Sequence, residues 1–173
     1  MVVARGRHTG GDFRHVPACR SPRQFGCVVA YSTFDGQVPP SSGFGRTAIP
    51  GAQVLCTDPA AHRGGTAPLT PIFPSAPFAP GTTLGAAVTL LGVPRVDVAT
   101  TWVMSPGAYD SACSDADGAS VMQVTPRNGA PLLKPVPHAD WGLHLTDANI
   151  ALGDEIRLVE RQFRAYEAEH AAK

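Results

Sequence analysis

The residue with the clearest chemical potential in this sequence is His144, which stands between Leu143 and Leu145. An imidazole titrates near neutrality, so it can take up and return a proton as a general base. We expect residues 143–145 to be extended and to lead into a long helix, which would place the imidazole at a sheet edge, where α/β folds bind ligands. A histidine in such a place is also often a structural hydrogen-bonding group, so both roles stay open.

A nucleophile to match this base is harder to find. The G-x-S-x-G turn that exposes a catalytic serine does not occur in the 173 residues. Ser42 and Ser105 stand beside prolines and glycines and are interpreted as loop serines. Asp147 and Asn149 are interpreted as capping and local hydrogen-bonding groups of the helix that follows.

The sequence predicts no metal and no cofactor. His8, His15 and Cys19 form a loose group, but neither C-x-x-C nor H-E-x-x-H spacing occurs. Asp115 and Asp117 lack the other ligands of a calcium loop. The G-x-G-x-x-G and P-loop lysine motifs are also missing, so we expect no bound nucleotide.

Composition excludes further classes of protein. Fourteen basic and fourteen acidic residues cancel, and no basic stripe indicates a nucleic-acid partner. The longest apolar run, near residues 84–93, is too short to cross a bilayer. The first residues contain no hydrophobic signal region, so we expect neither a membrane span nor an export signal in the sequence, and localisation stays undetermined.

Few regular elements are expected to position His144. The 18 glycines and 17 prolines predict a loop-rich single domain over residues 1–173. Strands are predicted at residues 26–34, 98–104 and 120–125, the first covered on both faces. Residues 37–81 are predicted to form a long loop with one helical turn at residues 56–62.

The C-terminal segment predicts an amphipathic helix that begins near Thr146 or Asp147 and ends near Glu169. Gly153 lies inside this helix, where glycine costs roughly 1 kcal/mol relative to alanine, so a close backbone approach is expected there. Its apolar face consists of residues spaced by three and four: Leu152, Ile156, Val159, Phe163 and Tyr166. This helix needs a sheet to cover, and few strands are predicted, so we expect a partly exposed apolar surface where the missing strands would pack.

Four cysteines in a chain rich in proline and glycine favour disulfides, although the sequence alone leaves three pairings open. We predict Cys19–Cys27, which would close a short loop before the first predicted strand. Cys56–Cys113 would then tie the long loop back to the domain. Disulfides imply an oxidising compartment.

Four blocks of sequence resemble a bacterial domain-of-unknown-function family of α/β-hydrolase-like proteins, described as lysophospholipases or esterases. Residues 19–34 resemble its C-R-S-x-x-Q-x-G-C-V-V-x-[WY]-x-T-[FY] segment, and residues 55–60 its L-C-T-N-P-A motif, with Asp58 where asparagine is common. Residues 103–113 resemble a segment that ends in cysteine, and residues 141–153 resemble W-G-L-H-L-x-D-x-N-x-A-L-G. The blocks follow the family's order and span most of the chain from about Gly10.

The resemblance implies a partial α/β-hydrolase fold with few strands, long loops and a C-terminal helix. In the family the nucleophile motif G-H-S-Q-G lies upstream of all four blocks, so this chain resembles the C-terminal part of such an enzyme. The family's chain order of serine, acid and histidine implies His144 as the base and Asp35 as the acid, with Asp58 or Asp110 as alternatives.

The resulting functional hypothesis is the histidine-bearing part of a serine hydrolase, inactive alone, for a small ester or lipid-like substrate. The missing N-terminal half is its expected partner, and the intact family protein is expected to be secreted or in the cell envelope. The alternatives are a non-catalytic binding or structural module and a truncated product without function.

Overall fold

The computed structural model describes residues 3–5, 12–62, 64–75 and 98–171, and predictions on His8 and residues 84–93 lie outside them. The described chain combines short strands with one C-terminal helix. The strands are β1 Val3–Arg5, β2 Thr33–Phe34, β3 Ala52–Val54, β4 Ala67–Pro68, β5 Ile72–Pro74, β6 Trp102–Met104, β7 Tyr109–Ser114 and β8 Val121–Pro126. The helix, α1, is Asp147–His170.

The largest sheet has four strands in the order β2-β8-β7-β4. β2 runs parallel to β8, and the other two pairings are antiparallel, so the sheet is mixed. Two further two-stranded sheets join β1 to β3 and β5 to β6. The main core lies between the four-stranded sheet and the first half of α1, and it includes Leu69, Tyr109, Met122, Val124, Leu143, Ile150 and Ala151.

The predicted strands are only partly present. The strand predicted at 120–125 is confirmed with a shift of one residue, and the strand at 98–104 is confirmed only over β6. The long strand predicted at 26–34 is wrong except for β2, and Val28 forms a single bridge with Ala18. Its backbone pairs with separate loops, since Val28 N donates to Pro17 O and Thr57 N donates to Ala30 O, so no continuous ladder forms.

The predicted loop at 37–81 contains β3, β4 and β5 within its described part. Residues 56–62 are irregular, with a bend at residues 59–60, and do not form the predicted helical turn. Cys56 in this region is joined to Cys113 of β7, with 5.8 Å between their Cα atoms. Cys19 is joined to Cys27, with a Cα–Cα distance of 5.0 Å, so both predicted disulfides are confirmed.

The length of α1 agrees with the sequence prediction, and much of its apolar face is not covered by the rest of the described chain. The buried residues of the helix are Ile150, Ala151, Gly153, Asp154 and Leu158. All of them lie in its first half, where Asn149, Gly153 and Asp154 bond β5 and the loop before it. Ile156, Val159, Phe163 and Tyr166 of the predicted apolar face are exposed, which agrees with the expected partly exposed apolar surface.

Gly153 is the point of closest approach between α1 and the rest of the chain. Its N–H donates to Thr70 O at 3.0 Å. A Cβ atom at this position would lie 2.7 Å from the same carbonyl oxygen and 2.6 Å from Thr70 Cγ2. The expected close backbone approach is therefore confirmed. No helix in the described ranges is long and apolar enough to cross a membrane.

Candidate catalytic site around His144

The candidate site is built on a histidine–carboxylate contact at the start of α1. His144 Nδ1 lies 2.5 Å from Asp147 Oδ2. The His144 side chain is 37% exposed and the Asp147 side chain only 14%, so the imidazole stands between a buried carboxylate and solvent. A pair of this kind can orient an imidazole and stabilise its protonated form.

The backbone turns that bring the two residues together are helical rather than extended. His144–Thr146 form one 3₁₀ turn directly before α1, so the extended segment predicted at 143–145 is wrong. Three residues of spacing along one helical turn place side chains on the same face. The sequence spacing H-x-x-D was thus a usable signal for this contact, once the segment is recognised as a turn.

Strand β2 fixes the other oxygen of the same carboxylate. The Thr33 N–H donates to Asp147 Oδ1 at 2.9 Å, and the Thr33 hydroxyl donates to the same atom. Thr33 is fully buried. One oxygen of Asp147 therefore faces the strand and the other faces the imidazole, which holds the carboxylate in one orientation.

Gly142 allows the chain to pass directly over β2 before reaching His144. Its φ of +53° lies in the left-handed region, and an added Cβ would lie 2.6 Å from Thr33 O. The next residue, Leu143, is buried and donates its N–H to Thr33 O at 2.9 Å. Thr33 thus binds both the backbone before His144 and the carboxylate after it.

The capping role predicted for Asp147 is wrong. The residue that precedes α1 is Thr146, and its hydroxyl donates backwards to Leu143 O at 2.9 Å rather than accepting from the first turn. Both carboxylate oxygens of Asp147 are used by His144 and Thr33. Asn149 also bonds at long range, since its Nδ2 donates to Ile72 O at 3.0 Å.

Burial raises the pKa of the Asp147 carboxyl above its ordinary value. The hydrogen bonds from Thr33 and the contact with His144 act in the opposite direction, because they stabilise the ionised form. The cost of desolvating the charge exceeds their combined effect. The ionisation of the largely buried Asp147 carboxyl therefore depends on the hydrogen-bond donors around it.

Aromatic side chains form one wall beside the imidazole. The Phe44 ring centroid lies 4.3 Å from that of His144, and the Trp141 centroid lies 6.2 Å away. Phe44 is anchored through Ser42, whose hydroxyl accepts from Phe44 N at 3.2 Å and donates to Asp140 O at 2.7 Å. This wall restricts the orientations open to the imidazole and gives the site an apolar side.

The three acids considered from the sequence lie elsewhere. Asp35 is exposed directly after β2, and no hydrogen bond or ion pair among the described residues joins it to His144. Asp58 is buried, with Oδ1 accepting from the N–H groups of Ala60 and Ala61 at 2.8 and 3.1 Å. Asp110 forms an ion pair with Arg127 at 3.2 Å. Asp147 is the carboxylate that contacts the imidazole.

Neither loop serine is bonded to the imidazole. Ser42 is buried and its hydroxyl is used by Asp140 and Phe44. Ser105 lies in the turn after β6, where its N–H donates to Pro71 O at 3.1 Å. Within the described ranges, no group of three or more histidine, cysteine or carboxylate side chains could hold a metal ion.

Comparison of the chain with protein-family models, with curated proteins and with solved structures gives no match.

Proposed function

We propose that His144 and Asp147 are the base and the orienting acid of a serine hydrolase that acts on an ester or lipid-like acyl bond. The observation that carries the proposal is the 2.5 Å contact between His144 Nδ1 and Asp147 Oδ2. The resemblance of residues 19–34, 55–60, 103–113 and 141–153 to the α/β-hydrolase-like family supports the same reaction class. On this proposal the described strands and α1 are the C-terminal part of an α/β-hydrolase-like domain.

The chemistry follows from the tautomer that Asp147 selects. A carboxylate at Nδ1 accepts the Nδ1–H bond, which leaves the lone pair of the neutral imidazole on Nε2. Nε2 would take the proton of the attacking serine as its oxygen bonds to the acyl carbon. The resulting oxyanion would be held by backbone N–H groups. The imidazolium would then return the proton to the leaving alkoxide, and water would release the acyl group by the same two steps.

The serine in this scheme belongs to the family's G-H-S-Q-G motif, which the 173 residues do not contain. It would come from a further segment or a partner chain, and this chain alone would be inactive. Because a triad acts as a unit, a base without its nucleophile gives little rate enhancement.

The choice of acid departs from the family's chain order. In α/β-hydrolases the acid precedes the histidine, as Asp35 does here and Asp147 does not. We favour Asp147 because it contacts the imidazole and because Thr33 fixes its carboxylate. Triads are recognised by geometry and roles, and their chain order differs between folds. Asp35 remains the alternative acid.

The proposal is tested by adding the nucleophile. The chain is combined with a segment that carries G-H-S-Q-G, or matched residues are changed in a homologue that contains both parts, and hydrolysis of a chromogenic ester is measured. His144→Gln should lower kcat by roughly 10³- to 10⁴-fold with little change in Tm. Asp147→Asn should lower kcat to a similar extent, whereas Asp35→Asn should retain most of the parent's kcat.

His138→Gln is the matched control. This histidine is also close to an aspartate, at 3.6 Å from Asp140, but its side chain is 58% exposed. It should retain activity. Turnover within a few-fold of the parent in His144→Gln would refute the catalytic assignment of His144. Loss of turnover in Asp35→Asn but not in Asp147→Asn would assign the role of the acid to Asp35.

A non-catalytic structural role is the second candidate. It is favoured by the packing of Phe44 on His144 and by the tie that Asp147 makes between β2 and α1. On this view His144→Gln would lower Tm strongly and would change no reaction. The two roles therefore separate in the Tm of this chain alone, before any nucleophile is supplied.

A further inference from the structure

The second half of α1 presents an apolar stripe to solvent. Ile156, Val159, Phe163 and Tyr166 are 48%, 63%, 58% and 47% exposed. Their spacing of three, four and three residues matches positions a and d of a heptad repeat. We call these four residues the outer seam. At 1.5 Å per residue the outer seam is about 15 Å long.

The outer seam does not belong to the face by which α1 packs on its own chain. The buried residues of that face, such as Ile150 and Leu158, lie in the first half of the helix. In the second half, Gln162 contacts the Cys19–Cys27 disulfide from a position beside the seam. Only one end of the seam has aromatic neighbours, where Tyr166 lies 5.4 Å from the Phe25 centroid and stacks on His170 at 4.0 Å. A contiguous group of large apolar side chains on the surface is typical of a protein interaction site.

The residues beside the outer seam carry charge of one sign. Positions e and g of the same heptads are Glu155, Glu160, Gln162, Glu167 and Glu169. They comprise four carboxylates, one amide and no cation. The arginines of this part of the helix occupy positions b and f, away from the seam: Arg157, Arg161 and Arg164. On the e side, Glu160 and Glu167 are exposed and would border a helix docked on the seam. On the g side, Glu155 accepts from the Tyr31 hydroxyl and Gln162 lies against the Cys19–Cys27 disulfide, so that side faces the chain's own loop.

This charge pattern opposes pairing with a second copy of the chain. In an antiparallel pair, Glu160 of one copy would face Glu167 of the other. In a parallel pair, Glu155 of one copy would face Glu160 of the other. Like charges at these positions repel, whereas opposite charges at e and g select a heterologous partner.

We propose that the outer seam binds an amphipathic helix of another protein, whose apolar a and d residues are flanked by lysine or arginine. The apolar seam provides the surface that becomes buried on binding. The acidic side chains beside it, here called the acidic border, make the binding selective for a basic partner. The inference does not depend on the hydrolase proposal, because none of its residues touches His144 or Asp147.

The test uses two designed helical peptides of about three heptads, identical at a and d, one with lysine and one with glutamate at e and g. Binding to the full chain is measured by calorimetry, and its mass by analytical ultracentrifugation. The lysine peptide should bind one to one, at least ~10-fold more tightly than the glutamate peptide, and more weakly as salt rises. The chain without peptide should be monomeric.

Variants of the chain identify the surface. Phe163→Ser should weaken the binding of the lysine peptide by roughly 10-fold or more. Glu160→Lys combined with Glu167→Lys should reverse the preference between the two peptides. Ala168→Ser lies at an exposed position on the other side of the helix. It should change neither the affinity for the lysine peptide nor the preference between the two peptides. All these positions are exposed, so the fold should persist, as a Tm measurement checks.

Three results would overturn the proposal. Equal affinity for the two peptides would remove the role of the acidic border. Self-association that Phe163→Ser abolishes would make the seam an interface between copies. Binding to phosphatidylcholine vesicles with no binding to either peptide would make it a lipid-facing surface.

Discussion

The two ring nitrogens of His144 have different surroundings, and this difference determines which of them could act as the base. Nδ1 contacts Asp147 Oδ2, while Nε2 has no hydrogen-bond partner among the described residues. Asp147 in turn receives two hydrogen bonds from Thr33 on its other oxygen. A buried strand residue therefore fixes the carboxylate, and the carboxylate fixes the imidazole.

The tautomer of His144 is the first property to measure. In the parent chain the neutral imidazole should carry its proton on Nδ1, because Asp147 accepts it. In Asp147→Asn the amide oxygen can keep the Thr33 bonds, and the amide NH₂ then faces Nδ1 and favours the Nε2–H form. Nitrogen-15 shifts of the His144 ring, recorded at alkaline pH, report the tautomer. The same tautomer in both proteins would mean that Asp147 does not orient the ring.

The raised pKa of Asp147 predicts a pH dependence of stability. An unfolded aspartate titrates near ~3.9, and the folded carboxyl holds its proton to a higher pH, so the folded state binds more protons in this window. The free energy of unfolding should therefore fall as pH rises from about 3.9 through the folded pKa.

His144→Gln and the double variant His144→Gln with Asp147→Asn isolate this effect, since the two differ only at residue 147. In urea unfolding, the single variant should lose stability relative to the double variant as pH rises through that window. A relative gain would show that the Thr33 hydrogen bonds outweigh burial.

At the scale of the elements, the packing of α1 depends on the space at Gly153. Alanine would improve the helix propensity by about 1 kcal/mol, but its Cβ would lie 2.7 Å from Thr70 O. A backbone carbonyl cannot move without disturbing the loop before β5, and overpacking of this kind costs about 1–3 kcal/mol.

We therefore expect Gly153→Ala to lower the free energy of unfolding, by up to about 2 kcal/mol net. Gly43→Ala is the matched control, because a Cβ there has no neighbour within 4 Å. Chemical unfolding of both variants gives the comparison. Gly153→Ala as stable as the parent would mean that α1 shifts away from Thr70 at little cost.

The same helix shows how far periodicity alone can go. Its apolar residues repeat with helical spacing, and this spacing correctly predicts a helix of nearly the observed length. It also groups Ile156, Val159 and Phe163 on one apolar face, but periodicity alone does not show whether that face is buried, and these residues are exposed. The buried side instead includes Asp154, which accepts from Thr70 N at 2.7 Å and bonds Arg157 at 2.5 Å. Polar contacts with the distant loop that contains Thr70 stabilise the burial of that face. The hydrophobic pattern of the helix gives no information about these contacts.

At the scale of the whole molecule, the two disulfides should contribute unequally to stability. Cys19–Cys27 spans 8 residues of sequence separation, and Cys56–Cys113 spans 57. Chain-entropy arguments give roughly 2.5 kcal/mol for the short loop and roughly 4 kcal/mol for the long one. The long one also joins the irregular segment at Cys56 to β7.

Replacing Cys56 and Cys113 together by alanine should therefore lower the free energy of unfolding more than replacing Cys19 and Cys27. Urea unfolding of the two double variants under non-reducing conditions gives the two values. The reverse order would mean that strain or residual structure in the unfolded chain, rather than loop length, sets the effect.

The sequence pattern predicts the features that depend on residues close along the chain, namely the extent of α1 and the place of His144 just before the helix. It also indicates the close approach at Gly153, because a glycine inside a helix is unusual, although the Thr70 carbonyl that it approaches lies far along the chain. The confirmed disulfides also agree with a sequence prediction, although sequence alone left other pairings open. Short strands such as β4 and β5 were not predicted, since two or three residues carry no periodic signal and their pairing partners lie far along the chain. The contacts of Asp147 with His144 and Thr33, in place of a cap on the helix, could be seen only in the folded chain. The reason is physical: a carboxylate at a helix start can bond the first turn or a neighbouring strand, and the buried donors of Thr33 become available only when β2 packs beside it.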